Sequence, residues 1–216
     1  MLKRLSDNTN IKLHTGEEYR GLTVLDNYGP LSQPYLERMY LTINRAMEEH
    51  TRTLDIRFDL TFPEWMGVIH TDLITRFLES LKSQIEADLN AKAKKGIRVF
   101  PCTVRYIWAR EQNVSHHWHY HCVIFLNKDA YLTVGEITAR EGNMAARIHK
   151  AWARTLGTDF NAVRGLVQFC AEYYLDRNDV WNVLEVDRLF KACSYLAKVA
   201  TKQFGDRTKH FSSSNR

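Results

Sequence analysis

The sequence predicts an α+β fold, in which helices pack against an antiparallel sheet. Apolar residues recur every two positions in some segments and every three or four positions in others, and the two kinds of segment alternate along the chain. Of the 216 residues, 44% are hydrophobic and 25% are charged, which is typical of a globular protein. Because one domain has about 100–200 residues, we expect one main domain with an extension.

Polar composition and charge predict the domain limits. Residues 1–33 are rich in turn-forming residues and lack sustained periodicity, so they are predicted to form an N-terminal extension. The net charge is +5, and most of it lies after Tyr195. This distribution predicts a basic, flexible tail over residues 206–216, with the main domain over residues 34–205. A basic end is also compatible with a polyanionic partner.

The first half of the main domain is predicted as helix, strand and helix. Pro34 is typical of the first turn of a helix, and apolar residues repeat at helical spacing from there to about His50. Residues 54–62 alternate between apolar and polar side chains, which predicts a strand with one polar face. A second amphipathic helix is predicted from Thr71 to about Gly96.

The second half is predicted as a hairpin followed by a helix, a strand and a last helix. Residues 97–111 and 117–126 are rich in β-branched and aromatic side chains and are predicted to form a hairpin. A helix over 144–157, a strand over 165–174 and a last helix over 186–202 follow. The order β-α-β-β-α-β plus a C-terminal helix is typical of a ferredoxin-like or RRM-like sheet, with helices packed on one face and the other face free for a ligand.

A row of histidines is the most informative feature of the chain. His117, His119 and His121 alternate with apolar residues in a predicted strand, so their side chains point to the same face. Imidazoles two positions apart on a strand lie about 6–7 Å apart at Cα, which is close enough to bind one divalent ion. The pattern therefore predicts a metal site, in which two or all three histidines bind.

Glu111 is predicted to be the third kind of ligand. It ends the strand that precedes the histidine strand in the hairpin, and its position in the alternation permits it to share the polar face. A solvated glutamate at the hairpin end is the alternative. Two histidines and a carboxylate, with open positions, suit a metal that acts as a Lewis acid on a phosphate.

The last predicted helix carries a tyrosine in a row of lysines. Lys191, Tyr195, Lys198 and Lys202 follow one another at spacings of three or four, beside an apolar stripe. A phenol with a pKa near 10 is a poor nucleophile, but a neighbouring ammonium group and a metal-polarised phosphodiester make tyrosyl attack feasible. Attack by Tyr195, with Lys198 beside it, is therefore feasible, although an ordinary amphipathic helix also carries basic residues beside its apolar stripe.

Three segments resemble the motifs of one enzyme superfamily. His119-Tyr120-His121 resembles the His-hydrophobic-His motif of HUH endonucleases, and Tyr195-Leu-Ala-Lys198 resembles their Tyr-x-x-Lys motif. The segment from Arg57 to Pro63 looks like the first motif of rolling-circle replication initiators. Within the superfamily, the chain most resembles the single-tyrosine replication initiators of filamentous phages (inoviruses) and the prophage YagK/YfjJ family.

This resemblance implies nicking of single-stranded DNA at an origin or hairpin, with Mg²⁺ or Mn²⁺ as cofactor. It implies metal binding by His119, His121 and Glu111, with His117 as a further possible ligand. Arg57, Thr61, Lys191 and Lys202 are expected to bind DNA. Because the chain has no phosphate-binding loop of an ATPase, a host helicase and a DNA polymerase are expected partners. No apolar run approaches the roughly 18 residues that span a bilayer, so we expect a cytoplasmic protein without membrane contact.

The chain departs from the superfamily pattern in two ways. His117 is an additional histidine, and Val199 stands where a second tyrosine of a doubled motif would be. A mechanism with two alternating tyrosines is therefore not expected.

Two other functions fit the same residues. A zinc hydrolase would use His117, His119 and His121 to activate a water molecule, but would leave Tyr195 and Lys198 without a role. A non-catalytic, nucleic-acid-binding or regulatory prophage protein would keep the fold without turnover. Replacing Tyr195 by phenylalanine distinguishes the enzymes, because only tyrosyl attack requires the phenol.

Overall fold

The computed structural model describes residues 4–6, 8–66, 72–112, 118–200, 202 and 208–215. The helices are α1 (Gln33–Glu49), α2 (Leu73–Lys94), α3 (Met144–Leu156) and α4 (Asn182–Ser194). The strands are β1 (Leu13–His14), β2 (Glu18–Tyr19), β3 (Leu22–Thr23), β4 (Leu31–Ser32), β5 (Arg52–Thr61), β6 (Arg105–Gln112), β7 (Trp118–Asn127), β8 (Val167–Asp176) and β9 (Phe211–Ser213). Short 3₁₀ turns cover Asp26–Tyr28 and Tyr195–Ala197.

A five-stranded antiparallel sheet forms the centre of the domain, in the order β8-β5-β7-β6-β9. The predicted α+β class is therefore confirmed. The predicted hairpin is β6 and β7, although residues 97–104, which were predicted to begin its first strand, are not in a strand. The pairing of β5 with β7 sets Asp59 opposite His121, and the pairing of β6 with β7 sets Glu111 opposite His119.

One face of the sheet packs against α2 and α3. The even-numbered residues from Leu54 to Leu60 in β5, among them Ile56 and Phe58, are fully buried there with Phe77 of α2 and Trp152 of α3. Burial of large apolar side chains of this kind is the main favourable contribution to folding. Among the described residues, no helix is both long enough and apolar enough to cross a bilayer.

The other face is covered by α1 and α4, so the prediction that helices pack on one face is wrong. Val123 and Phe125 of β7 are fully buried there, packed in one cluster with Met39 of α1 and Phe190 of α4. The prediction treated this face as polar because β5 contributes charged residues to it. The neighbouring strands contribute apolar residues to the same face, and these require a second layer of helices.

The prediction of a flexible tail over residues 206–216 is also wrong for residues 208–215, which the structure describes. Phe211–Ser213 forms the edge strand β9 against β6, with Ala109 opposite Phe211. The Phe211 ring stacks on Tyr35 of α1, with 4.2 Å between the ring centres. The segment is buried because it completes one edge of the sheet and covers α1.

The last helix is shorter than predicted. It ends at Ser194, and the chain continues as a 3₁₀ turn followed by Lys198 in an extended conformation. Lys198 forms a β-bridge with Leu31, and the backbone N–H of Val199 donates to the carbonyl of Pro30 at 3.4 Å. Because residues 30–31 take these backbone bonds, the helix does not continue to residue 202, and Tyr195 lies just beyond α4.

Candidate functional site

Three potential metal ligands lie together where β6 ends and β7 begins. Glu111, His119 and His121 each present one ligand atom, and these atoms all lie within 4.8 Å of one another. The Nε2 atoms of His119 and His121 are 3.0 Å apart, and Nε2 of His121 is 3.5 Å from Oε2 of Glu111. The predicted convergence of the two histidines and the carboxylate on one face is confirmed.

Asp59 orients the His121 ring. Its Oδ1 atom lies 2.7 Å from Nδ1 of His121, because β5 and β7 set the two residues opposite each other. A neutral His121 that donates its Nδ1 proton to Asp59 keeps the lone pair of Nε2 directed toward His119 and Glu111. A carboxylate behind a histidine ligand fixes its tautomer and increases its basicity in metal sites.

The residues of the cluster fit a divalent cation. Two imidazole nitrogens and a carboxylate oxygen are ligand types that transition metals bind, and carboxylates also suit Mg²⁺ and Mn²⁺. Glu111 is nearly fully buried, which excludes competition by solvent at its carboxylate. The donor set does not by itself select one metal.

Two lysines hold the Glu111 carboxylate. Nζ of Lys202 lies 2.8 Å from Oε1, and Nζ of Lys198 lies 2.9 Å from Oε2. Burial favours the neutral acid, but the hydrogen bond with His121 and the charge of Lys202 outweigh it, so the pKa of Glu111 is well below its usual range. Glu111 is therefore an anion at neutral pH.

The same contacts set the protonation of the partners. Burial lowers the pKa of Lys202 to about 8, although the adjacent Glu111 carboxylate acts in the opposite direction. Burial also opposes the charged form of His121, but Asp59 and Glu111 outweigh this effect, and its pKa is raised. The two carboxylates thus favour positive charge on the His121 ring.

Tyr195 lies beside this cluster. Its ring is edge-on to the His121 ring, with 5.2 Å between the ring centres, and Nζ of Lys198 lies 3.5 Å from the centre of the Tyr195 ring. On other sides the ring contacts Tyr28 at 5.0 Å between ring centres and the Arg57 guanidinium at 5.5 Å. The folded chain therefore brings the predicted nucleophile next to the predicted metal ligands.

Comparison with known proteins assigns a family. The family described as the YagK/YfjJ C-terminal domain matches residues 14–214. The chain belongs to this family. It is 30% identical to the uncharacterized protein YagK of Escherichia coli strain K12 over 173 residues, which are 75% of this chain and 83% of YagK. It is 26% identical to the uncharacterized protein YfjJ of the same strain over 205 residues, 88% of this chain and 98% of YfjJ. No solved structure matches the chain.

The four predicted DNA-binding residues of this YagK/YfjJ domain have different surroundings. Arg57 and Lys191 line a pocket beside Tyr195. Thr61 lies opposite His119, and its backbone carbonyl accepts a hydrogen bond from the Trp152 indole at 3.0 Å. Lys202 is buried against Glu111, which places its charge inside the site instead of on a DNA-facing surface.

His117, the further possible ligand, lies outside the described residues.

Two residues of the site were not predicted. Asp59 lies on the polar face of β5 beside Arg57, and that alternation was the available signal, but its pairing with His121 depends on which strands are neighbours. Tyr28 lies in the segment that was predicted to be an N-terminal extension, where no periodicity marks it. Both reach the site through contacts between distant parts of the chain.

Proposed function

We propose that this protein is a metal-dependent endonuclease that nicks single-stranded DNA through attack by Tyr195. The observation that carries the proposal is the position of the Tyr195 ring, which contacts both the imidazole of His121 and the ammonium group of Lys198. A tyrosine in contact with both a potential metal site and a buried cation has the surroundings that a phenol needs to act as a nucleophile.

Glu111, His119 and His121 would hold the cation, for which we propose Mg²⁺ or Mn²⁺. When bound, the cation supplies positive charge that polarises the scissile phosphate. Asp59 keeps the His121 ring in its binding orientation through the contact at Nδ1. Lys202 neutralises Glu111 from the buried side, at 2.8 Å.

The proposed reaction is a transesterification. The Tyr195 Oη atom forms a bond to phosphorus, and the bond between phosphorus and the 3′ oxygen of the preceding nucleotide breaks. The phenol loses its proton and the 3′ oxygen gains one, so the products are a 5′-phosphotyrosine and a free 3′-hydroxyl. Lys198 stabilises the negative charge that develops on the phenol oxygen, because its ammonium group lies against the ring.

The strand order and the resemblance of two motifs to HUH endonucleases support a role in replication. The strand order β8-β5-β7-β6 supports a ferredoxin-like topology for the central sheet. The resemblance of the histidine and tyrosine motifs to HUH endonucleases supports a single-tyrosine initiator of the kind found in filamentous phages. We propose that the free 3′-hydroxyl at an origin or hairpin starts rolling-circle replication of a phage or mobile element, with a host helicase and polymerase, in the cytoplasm.

The experiment is an adduct assay. The protein is incubated with labelled single-stranded hairpin oligonucleotides and Mn²⁺, and the products are separated on a denaturing gel. The wild type is expected to give a protein-linked DNA band that is absent with EDTA and in Tyr195→Phe. Tyr195→Phe removes one hydroxyl and keeps the ring contacts with His121 and Lys198, so it is a matched control.

Each other outcome favours a different function. Cleavage that persists in Tyr195→Phe without a covalent adduct would favour a zinc hydrolase with a water nucleophile. Binding of the oligonucleotides with no cleavage in any metal would favour the non-catalytic, nucleic-acid-binding protein.

A further inference from the structure

A pocket of about 610 Å³ lies beside Tyr195. Its lining includes three tyrosines and three basic residues, which come from the N-terminal segment, β5, β8, α4 and the turn after it: Tyr28, Arg57, Tyr173, Arg188, Lys191 and Tyr195. Ligand pockets in proteins have volumes of about 300–1,000 Å³, so this pocket has the size of a small-molecule or nucleotide site.

The charges of the pocket are available to an anion. Among the described residues, no ion pair joins Arg57 or Lys191 to a carboxylate, and no carboxylate lines the pocket. Nε of Arg57 is buried without a hydrogen-bond partner among the described residues. Arg188 pairs with Glu185 at 3.0 Å but remains largely exposed. A cationic pocket with no acidic lining favours phosphate.

The tyrosines give the pocket a second property. Tyr28 is 44% exposed, although its ring contacts that of Tyr195 edge-on. Exposed aromatic rings next to basic side chains are the combination with which proteins bind single-stranded nucleic acid, because the rings stack on bases and the cations contact phosphates. A simple phosphate ion would use the cations and leave the tyrosines without a role.

The N-terminal segment is anchored where it forms the pocket wall. The backbone N–H of Thr23 donates to Asp187 of α4 at 2.6 Å, and that of Leu25 donates to the hydroxyl of Ser194 at 2.9 Å. Further along, Leu31 forms a bridge with Lys198. Because these bonds lie on both sides of Tyr28, they hold its ring beside Tyr195.

We propose that this pocket binds one nucleotide of single-stranded DNA, directly beside the phosphate that Tyr195 attacks. The inference rests on the proposed function, since Tyr195 is both the nucleophile there and a wall of the pocket here. The base stacks on Tyr28, and its phosphates contact Lys191 and Arg57. The N-terminal segment is thus part of the substrate site and a determinant of which nucleotide is accepted.

The test measures binding separately from cleavage. Fluorescein-labelled single strands of mixed sequence are titrated with protein that carries Tyr195→Phe, in EDTA, so that no cleavage occurs. Tyr28→Ala is expected to weaken binding about fivefold or more, and Tyr28→Trp is expected to retain it. Lys191→Ala is expected to weaken binding and to reduce the slope of log K against log salt concentration by about 0.7, whereas Tyr28→Ala leaves the slope unchanged.

Two controls lie elsewhere on the surface. Tyr174→Ala removes an exposed tyrosine from the opposite face of β8, and Lys94→Ala removes an exposed lysine at the end of α2. Both should bind the strands as tightly as the parent protein. Thermal unfolding of each variant identifies loss of fold. Because Lys191 is exposed, its substitution tests the pocket even where Tyr28→Ala destabilises the N-terminal segment.

The outcomes separate the two proposals. Equal affinity of the Lys191, Tyr28 and control variants would overturn the nucleotide pocket, even where the wild type forms a covalent adduct. Loss of affinity in the pocket variants alone supports the pocket, and it does so even where no adduct forms and the proposed chemistry fails.

Discussion

Lys198 places its Nζ atom 3.5 Å from the centre of the Tyr195 ring. The two residues are neighbours because α4 ends at Ser194 and the chain tightens into a 3₁₀ turn, in which residues three apart lie above one another. The same Nζ atom is 2.9 Å from Oε2 of Glu111. One buried ammonium group therefore connects the tyrosine to the candidate metal ligands.

Replacing Lys198 by methionine should slow adduct formation about 100-fold, because it removes the charge that stabilises the developing phenolate and keeps a side chain of similar length. Affinity for the single strand should change little. The measurement is the single-turnover rate of adduct formation at saturating DNA. Lys191→Met is the matched control, for which we expect weaker DNA binding and a nearly unchanged maximal rate. An unaltered rate in Lys198→Met would disprove this role.

Replacing Glu111 by glutamine should destabilise the protein by about 3 kcal/mol, because it leaves the ammonium groups of Lys198 and Lys202 buried without their anion. Urea unfolding in EDTA measures the effect without metal. The double variant Glu111→Gln with Lys202→Met should be more stable than Glu111→Gln alone, since one uncompensated charge is removed. A double variant as unstable as the sum of its single variants would show that the charges are not coupled.

Replacing Asp59 by asparagine should weaken Mn²⁺ binding about 10- to 100-fold, because the His121 ligand loses the carboxylate that orients it. Isothermal titration calorimetry measures the affinity. Asp55→Asn is the control, since Asp55 lies four residues earlier on the same face of β5 and should leave Mn²⁺ affinity unchanged. Equal affinities of the two variants would exclude a role for Asp59 in metal binding.

The stability of the protein should depend on the protonation of Asp55. Its side chain is fully buried, accepts a hydrogen bond from Thr53 at 3.0 Å, and has no partner for Oδ1 among the described residues. Burial raises its pKa well above the usual value, despite the bond from Thr53. The folded state therefore binds this proton more tightly than the unfolded chain, and the associated stability is present below about pH 4 and lost as pH rises through the folded pKa.

Asp55→Asn should remove this dependence. The stability gained over the wild type, measured by urea unfolding at several pH values, should increase from about pH 4 upward. Glu79→Gln, which alters an exposed carboxylate on α2, should show no such increase. A gain for Asp55→Asn that is constant with pH would contradict a buried, protonated Asp55.

The core of the candidate site could be predicted because it depends on local geometry. Glu111, His119 and His121 lie on the two strands of one hairpin, and the alternation of side chains along each strand places them on one face. Apart from the start of the strand predicted over 97–111 and the end of the last helix, the helices and central strands were predicted within a few residues, since each has a clear period of its own.

The parts that could not be predicted depend on long-range pairing. The helix after β8 ends early because residues 30–31 bind to the backbone of Lys198 and Val199, more than 160 positions away in the chain. Phe211–Ser213 has no period that marks a strand and becomes one only by pairing with β6. Asp59 acquires its role from the neighbouring position of β5 and β7.

The most direct test of the central claim is to locate the DNA attachment site. The adduct formed with Mn²⁺ is digested with protease and nuclease, and the nucleotide-bearing peptide is identified by mass spectrometry. The proposed mechanism predicts a single phosphodiester linkage to the hydroxyl of Tyr195. Attachment to Tyr28 or Tyr173, which line the same pocket, or cleavage without any linked peptide, would contradict it.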